Sequence, residues 1–250
     1  MNINIFENSD LGSQFVANRI GKVLAARNSV SRPTVLGLAT GSTPIEVYSE
    51  LIKKHRDEGL SFENVVTFNL DEYYPMEPSD IQSYYHFMHQ HLFDSVDIQL
   101  DNVFIPNGKI HEHKVIKYCE QYDDKIAEVG GIDIQILGIG ANGHIGFNEP
   151  GSELNSVTRL VELDEQTRKD AAATFNGIEN VPTSAITMGI NTILKAKEIL
   201  IMAWGKRKAE IIKQCLFGEV TSTKPATFLQ THPNVSVVLD AEAASLLDLD

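Results

Sequence analysis

Hydrophobic residues in this chain follow two alternating patterns, one with helical spacing and one of short continuous runs. Apolar side chains recur every three or four residues between Leu11 and Leu24, which predicts an amphipathic helix near the start. Continuous apolar runs have the length of buried strands, and they cover residues 34–39, 65–70, 132–137, 199–204 and 235–239. Helices are predicted between them, over residues 44–58, 83–93, 114–129, 185–196 and 206–217.

Strands of this kind, separated by helices, predict a sheet that is buried on both faces. The expected fold is α/β and Rossmann-like, with a doubly wound, mainly parallel sheet and helices on both faces. A charged region over residues 159–180 contains one further helical stretch, and no low-complexity linker or internal repeat divides the chain. We therefore expect a single domain over residues 1–250.

Composition and charge narrow the class of protein. The 250 residues are 42% hydrophobic and 22% charged, as in an ordinary soluble globular protein. A formal net charge of −13 opposes binding to nucleic acid, which selects basic surfaces. No apolar run of about 18 residues predicts a membrane span, and the first six residues lack a secretory signal pattern. The separated cysteines Cys119 and Cys215 are expected as free thiols in a reducing cytoplasm.

A glycine-rich segment after the third predicted strand carries the clearest candidate chemistry. Residues 137–150 read LGIGANGHIGFNEP, and their four glycines let the backbone approach a ligand closely. Histidine exchanges protons near neutral pH, and His144 lies between Asn142 and Glu149. If the stretch is extended, Asn142 and His144 point to the same side. The segment predicts either an acid–base site at a strand end or a plain turn with a surface histidine.

In doubly wound folds, ligands bind beyond the carboxyl ends of the strands, and the first predicted strand ends in a polar loop. Gly41, Ser42 and Thr43 precede Pro44, which suits the first turn of a helix. Free backbone N–H groups at such a helix start bind anions. The loop is therefore either an anion-binding loop or an ordinary helix cap.

Two further strand ends carry charged residues. Asp71 and Glu72 follow the second predicted strand, where one of them would be a general base or both would belong to a solvated turn. Lys206, Arg207 and Lys208 open the last predicted helix. Because cations are disfavoured at a helix N-terminus, this cluster indicates either an anionic ligand or a solvated basic face.

The histidines do not predict a metal site. His86, His89 and His91 share the predicted helix over residues 83–93, but they have no convincing carboxylate partner. His111 and His113 lie in a loop that enters the next helix. The pattern favours a histidine-rich polar surface over a metal centre.

Four segments together resemble the glucosamine-6-phosphate deaminase family. They are LGLATGSTP at residues 36–44, NLDEY at 69–73, GANGHIGFNEP at 140–150 and AITMG at 185–189. The similarity runs in order over nearly the whole chain. It implies an aldose–ketose isomerisation with deamination, in which glucosamine 6-phosphate and water give fructose 6-phosphate and ammonium. No metal or organic cofactor is implied.

The resemblance also implies roles for individual positions. Asp71 would be the enolisation base, which takes a proton from C2 of the sugar and returns one at C1. His144 would be the acid–base group of ring opening, oriented and tuned by Glu149 and Asn142. Some members have aspartate in place of Asn142, and a neutral amide stabilises an imidazolium less than an anion does. The implied phosphate-binding residues are Gly41, Ser42, Thr43 and Lys208.

Two departures from the family pattern modify this expectation. The resemblance implies a mobile helical lid over about residues 159–187, but Ala173 stands where some members have a phosphate-clamping arginine. Arg168 is nearby, although helical spacing gives it a different direction. The chain ends at Asp250 without the longer tail that helps build the activator site in allosteric, hexameric members. Activation by N-acetylglucosamine 6-phosphate is therefore not expected, and homo-oligomer formation stays open.

Two other functions compete with this one. A hydrolase similar to 6-phosphogluconolactonase would share the phosphate loop but would not need Asp71 together with Asn142, His144 and Glu149. A non-catalytic module that senses sugar phosphates is disfavoured because no basic or helix-turn-helix segment accompanies it. The expected partner is a small amino-sugar phosphate, not nucleic acid or a membrane.

Overall fold

Seven parallel strands form the central sheet of the computed structural model, which describes residues 1–29 and 33–247. In chain order, the strands of this sheet and of a smaller one are β1 (Asn2–Phe6), β2 (Thr34–Leu38), β3 (Val65–Asn69), β4 (Asp71–Tyr74), β5 (Val103–Phe104), β6 (Ile134–Leu137), β7 (Arg159–Glu162), β8 (Ser184–Thr187), β9 (Ile199–Ala203) and β10 (Val235–Asp240). The central order is β1-β10-β9-β6-β2-β3-β5. All five predicted strands lie in this sheet, and its parallel character is confirmed.

Helices connect the strands and cover the sheet with apolar side chains. They are α1 (Ser9–Asn28), α2 (Ile45–Glu58), α3 (Tyr84–His91), α4 (Val115–Glu128), α5 (Glu165–Ala171), α6 (Ile190–Leu194) and α7 (Ala209–Phe217). In α1, the apolar stripe that predicts the helix supplies the fully buried side chains Val16, Ile20 and Leu24. The same hydrophobic cluster includes the strand residues Leu36 and Val237. Among the described residues, no helix is both long enough and apolar enough to cross a membrane.

The smaller sheet is antiparallel and corrects the sequence prediction in three places. Its order is β4-β8-β7, and Thr187 of β8 stands opposite Asp71 on one side and Arg159 on the other. The loop predicted after residue 70 is β4, the helix predicted from residue 185 begins as β8, and the charged region contains β7 besides its helix α5. Ladder hydrogen bonds on both sides of β8 outweigh the helical spacing that residues 185–196 show.

Other differences are confined to element ends and sheet edges. The edge strands β1 and β5 are not predicted, because β1 alternates with asparagines and β5 has only two residues. Residues 206–208 form a 3₁₀ turn, so the last helix begins at Ala209 instead of residue 206. The chain end at Asp250, on which the expectation about an activator rests, lies outside the described residues.

Candidate active site

The four polar strand-end segments meet at the carboxyl edge of the central sheet. Nζ of Lys208 donates a hydrogen bond of 2.6 Å to the carbonyl oxygen of Ile139, where the glycine-rich segment begins. A Cβ atom added to the neighbouring Gly138 would lie 3.5 Å from Oγ1 of Thr43. At the other end of the same segment, a Cβ atom on Gly146 would lie only 3.1 Å from Oδ2 of Asp71. The glycine-rich segment therefore bridges the anion-binding loop, the basic turn and the strand with the two acids.

Asp71 is a buried carboxyl group that faces this glycine-rich segment. Asp71 is the first residue of β4 and is only 5% exposed. Burial raises the pKa of Asp71 to about 8, the charge of Glu72 adds to the rise, and the backbone N–H of Phe147 opposes it. A carboxyl group with a pKa this close to neutral exchanges protons readily, as a general acid or base requires.

Glu72 lies next in the strand and points elsewhere, because side chains alternate along β4. Its carboxylate accepts backbone N–H groups of Tyr73 at 2.9 Å, Tyr84 at 3.0 Å and Tyr85 at 3.0 Å. Two of these donors form the first turn of α3, where a negative charge stabilises a helix. Burial raises the pKa of Glu72 to about 7, against these hydrogen bonds. The two adjacent acids therefore differ in surroundings: Asp71 faces the glycine-rich segment, and Glu72 binds the N–H groups at the start of α3.

His144 lies in a tight turn whose neighbouring positions require glycine. The backbone has φ of +86° at Gly143 and +57° at Gly146, a region that disfavours other residues. A Cβ atom on Gly140 would fall 2.2–2.4 Å from the imidazole ring of His144, so glycine is also needed for space. These turns make the segment compact, so the extended geometry in which Asn142 and His144 would point to the same side is not formed.

Glu149 and Asn142 lie beside the histidine. Oε2 of Glu149 lies 3.5 Å from Nδ1 of His144 and accepts a hydrogen bond of 3.1 Å from the Asn142 amide. Oδ1 of Asn142 accepts the backbone N–H of His144 at 3.1 Å. Asn142 therefore contacts the Glu149 carboxylate and the backbone of the loop.

The charge of Glu149 is stabilised in this position. Its other oxygen, Oε1, accepts a hydrogen bond of 2.5 Å from the hydroxyl of Thr167 on α5. Burial raises the pKa of Glu149, but the nearby imidazole of His144 and the hydrogen bond from Thr167 outweigh it and hold the pKa below its ordinary value. The group is thus an anion near neutral pH, suited to orient an imidazole and to stabilise its protonated form.

The loop before α2 has the features of an anion-binding site. Gly41 has φ of +87°, and the exposed Ser42 follows it. The cap residue Pro44 makes no side-chain hydrogen bond to the helix, so the first N–H groups of α2 are not used by a side-chain cap. Lys208 contacts Ile139, the neighbour of the Gly138 that faces Thr43 of this loop, and partial burial lowers the pKa of its ammonium group. A half-buried cation and a helix start without a side-chain cap both favour an anionic ligand.

Trp204 is a part of this region that sequence patterns do not reveal. It follows β9, and its indole Nε1 donates a hydrogen bond of 3.0 Å to the carbonyl oxygen of Thr43. Its ring lies against Gly12 of α1, where an added Cβ atom would come within 2.6 Å of a ring carbon. The only sequence signal is that the chain places its single tryptophan at a strand end.

Arg168 and Ala173 lie on the segment predicted as a lid. Nη2 of Arg168 donates to the carbonyl oxygens of Ile178 at 2.9 Å and Val181 at 3.2 Å. The guanidinium group is thereby bound within its own segment, whereas Ala173 is exposed. Among the described residues, no cluster of three or more histidine, cysteine or acidic side chains could hold a metal ion.

A mainly parallel sheet with polar groups gathered at its carboxyl edge is typical of α/β enzymes, which bind their ligands there. Residues 7–238 match the sequence model of the family described as glucosamine-6-phosphate isomerases/6-phosphogluconolactonase. The chain belongs to this family, which confirms the resemblance carried by the four motifs.

Several relatives are similar over most of the chain. A glucosamine-6-phosphate deaminase of Alkaliphilus oremlandii is 47% identical over 99% of this chain and 100% of its own length. One of Bacillus velezensis is 48% identical over 92% of this chain and 94% of its own. A putative glucosamine-6-phosphate deaminase-like protein of Bacteroides thetaiotaomicron is 45% identical over 96% of this chain, which spans only 36% of that longer protein.

Solved structures agree with the fold. A glucosamine-6-phosphate deaminase described as monomeric superposes with a TM-score of 0.94 at 41% identity, covering 98% of this chain and 100% of that one. The 6-phosphogluconolactonase of Trypanosoma brucei superposes with a TM-score of 0.79 at 21% identity, covering 98% of each chain. The second likeness shows the shared fold alone.

Proposed function

We propose that this protein is a glucosamine-6-phosphate deaminase, which converts glucosamine 6-phosphate and water into fructose 6-phosphate and ammonium. The observation that carries the proposal is the position of the glycine-rich segment. It lies against the Asp71 carboxyl group at Gly146 and against Thr43 at Gly138, and it accepts the Lys208 ammonium group at Ile139. A sugar phosphate bound along this segment would meet an anion site at one end and acid–base groups at the other.

The phosphate group would bind at the start of α2. The backbone N–H groups around Gly41, Ser42 and Thr43 would donate to its oxygens, and the helix dipole would favour its charge. Lys208 would exchange its contact with the Ile139 carbonyl for the phosphate, whose negative charge would offset the cost of burying the ammonium group. Ala173 contributes no charge, so the clamp implied for some family members is absent at that position.

Ring opening would be the work of His144. The imidazole would move a proton between the anomeric hydroxyl and the ring oxygen, which gives the open-chain aldehyde. Glu149 would hold the ring at Nδ1 and stabilise its protonated form, while Asn142 keeps the carboxylate in place. The 3.5 Å separation leaves room for this contact to tighten when substrate binds, as catalytic hydrogen bonds often do.

Isomerisation would then proceed at Asp71. Its carboxylate would take the proton from C2 of the open chain and return one at C1, which leaves a carbon–nitrogen double bond at C2. Addition of water and loss of ammonia there give the ketone of fructose 6-phosphate. With its pKa at about 8, Asp71 is largely protonated in the empty site, and the positive amino group of the sugar would lower that pKa toward the active carboxylate.

The alternative functions have less support. A lactonase would use the anion-binding loop without a buried base at the C2 position, whereas Asp71 is buried directly against the histidine loop. The relatives with 47–48% identity over nearly the whole chain carry the deaminase name, and the lactonase likeness is at 21% identity.

A direct assay tests the proposal. Purified protein is given glucosamine 6-phosphate, and both ammonium and fructose 6-phosphate are measured. Equal amounts of the two products support the deaminase. Hydrolysis of 6-phosphogluconolactone without ammonium release from the amino sugar would establish the lactonase, and binding of either sugar without turnover would establish a sensing module.

A further inference from the structure

Thr167 is a buried polar residue whose hydroxyl group is aimed at the candidate active site. It lies in α5 and is only 9% exposed. Its hydroxyl donates a hydrogen bond of 2.5 Å to Oε1 of Glu149, across 18 positions of sequence. This contact joins the helix of the predicted lid to the carboxylate that faces His144.

The two oxygens of Glu149 have separate partners. Oε2 accepts from Asn142 at 3.1 Å and lies 3.5 Å from Nδ1 of His144, while Oε1 is the oxygen that Thr167 holds. Nδ1 of His144 is itself buried and makes no hydrogen bond within the described part of the chain. The histidine is therefore oriented by the position of the carboxylate, and a small rotation of that group changes the contact.

We propose that Thr167 is a positioning residue for ring opening, which fixes the carboxylate plane of Glu149 and through it the imidazole of His144. The inference rests on the proposed deaminase function and adds a residue of α5 to it. Because a catalytic group works only within a narrow range of positions, loss of the hydroxyl lowers the rate of the step that His144 serves. The same change should leave the proton transfer by Asp71 largely intact, since Thr167 does not contact Asp71.

The helix that carries Thr167 has other anchors, so the side chain can be changed without unfolding it. Asp164 caps α5 by accepting the N–H of Gln166 at 2.7 Å. Arg168 ties the helix to the carbonyl oxygens of Ile178 and Val181. Thr167→Val keeps the shape of the side chain and removes only its hydroxyl group. Thr167→Ser keeps the hydroxyl, and Thr174→Val makes the same chemical change at an exposed position of the same segment.

The kinetic test compares two reactions of each variant. Thr167→Val should lower kcat for glucosamine 6-phosphate roughly tenfold, with KM nearly unchanged. Exchange of solvent tritium into C1 of fructose 6-phosphate, which is partly open in water, should stay within about twofold. Thr167→Ser should restore most of the activity, and Thr174→Val should behave as wild type. Wild-type rates in Thr167→Val, equal losses in both reactions, or no rescue by serine would overturn the inference.

A second measurement separates this inference from the proposed function, because it needs no substrate. The pKa of Glu149 is followed by NMR of the carboxyl carbon in the ligand-free protein. It should rise in Thr167→Val, which loses a hydrogen bond to the charged form, and return in Thr167→Ser. The charged residues Glu153, Arg159 and Glu162 line the same cavity of about 530 Å³ as Glu149 and are the same in each variant. An unchanged pKa rejects the positioning role; absence of ammonium release by wild type rejects only the deaminase.

Discussion

The two sheets of this protein divide the candidate site between them. Loops at the carboxyl edge of the central sheet supply the groups that suit a phosphate, namely the start of α2 and Lys208. The small antiparallel sheet supplies Asp71, and the glycine-rich segment with His144 connects the two regions. We infer that the central sheet mainly binds the substrate and that the small sheet mainly carries its proton transfers. Changes in the first region should then act on KM, and changes in the second on kcat.

The two carboxyl groups near the glycine-rich segment show why the division works. Asp71 is enclosed by the small sheet and keeps few partners, so burial raises its pKa to about 8. Glu149 lies on a loop where His144, Thr167 and Asn142 all reach it, and its pKa is lowered. One environment makes a carboxyl group exchange protons, and the other keeps a carboxylate charged. Two groups of one chemical type thereby fit different roles.

The largest effect is expected from Asp71→Asn. The amide cannot accept the C2 proton, so kcat should fall by about 10²–10⁴-fold while KM changes little. Ammonium release under saturating glucosamine 6-phosphate measures it. Near wild-type turnover would remove Asp71 from the mechanism and leave its neighbour as the candidate base.

The matched control is Glu72→Gln in the same strand. Glu72 accepts three backbone N–H groups, two of them at the start of α3, so its loss of charge should act on the fold. The Tm should fall by roughly 3–12 °C, since a charge-assisted hydrogen bond contributes about 1.5–3 kcal/mol and 1 kcal/mol shifts Tm by roughly 2–4 °C at this size. A larger loss of kcat in Glu72→Gln than in Asp71→Asn would reverse the two assignments.

His144→Gln is the next largest expected change and probes the connecting segment. If His144 acts mainly on the cyclic sugar, ammonium release from glucosamine 6-phosphate should fall by about 10²-fold or more. Tritium exchange at C1 of fructose 6-phosphate, which begins from a partly open chain, should fall much less. Equal losses of rate with both sugars would show that His144 serves enolisation or the fold. The connecting segment would then have no separate role between the two regions.

Lys208→Ala tests the binding role of the central sheet. A charge-assisted hydrogen bond is worth about 1.5–3 kcal/mol, so KM for glucosamine 6-phosphate should rise by about one to two decades with kcat largely retained. Lys206→Ala removes the same charge from an exposed position of the same turn and should have little effect.

Arg168→Ala addresses the alternative source of the positive charge. Its guanidinium group is bound to the backbone of its own segment, so the variant should change KM much less than Lys208→Ala does. A sharp rise of KM in Arg168→Ala with none in Lys208→Ala would show that the phosphate binds at the lid segment instead. Comparable kcat/KM for glucosamine and glucosamine 6-phosphate would exclude a phosphate site altogether.

The same two regions differ in how well sequence patterns predict them. The central strands are continuous β-branched runs between amphipathic helices, and β2, β3, β6, β9 and β10 all follow from that pattern. The small sheet does not, because its strands have four residues each and owe their existence to pairing partners far along the chain. β4, which carries both acids, is predicted as a loop for that reason.

Residue types and motifs indicate the candidate site better than they indicate its contacts. Asp71, His144 and Glu149 are recognisable from the segments that contain them, but the residue pattern alone leaves Asp71 and Glu72 open, and only the family resemblance selects Asp71 before the alternation along β4 is known. The contacts of Thr167 with Glu149 and of Trp204 with Thr43 span 18 and 161 positions, and no local pattern encodes them. Such partners depend on how the two sheets pack, which sequence spacing alone does not specify.

The burial of Asp71 should make the free energy of unfolding depend on pH, and this can be measured without any substrate. Its pKa is about 8 in the folded protein and 3.8 without burial, so between these values the unfolded chain releases a proton that the folded protein keeps. This contribution to stability is full at low pH and is lost as pH rises toward 8, by at most about 1.4 kcal/mol per pH unit. Asp71→Asn lacks the titration and should gain stability over wild type as pH rises from 5 to 8. A constant difference in urea unfolding over that range would contradict a buried, protonated Asp71.

The smallest expected effect comes from Trp204, which donates a hydrogen bond to the Thr43 carbonyl of the anion-binding loop. Trp204→Phe keeps an aromatic ring against Gly12 but removes the indole N–H. A neutral hydrogen bond contributes about 0.5–1.5 kcal/mol, so loosening of the loop should raise KM for glucosamine 6-phosphate by roughly 2–12-fold. Since the loop belongs to the central sheet, kcat should stay within about twofold. A fall in kcat with unchanged KM would mean that the loop also positions the sugar for Asp71, and the division between a binding sheet and a chemical sheet would fail at this residue.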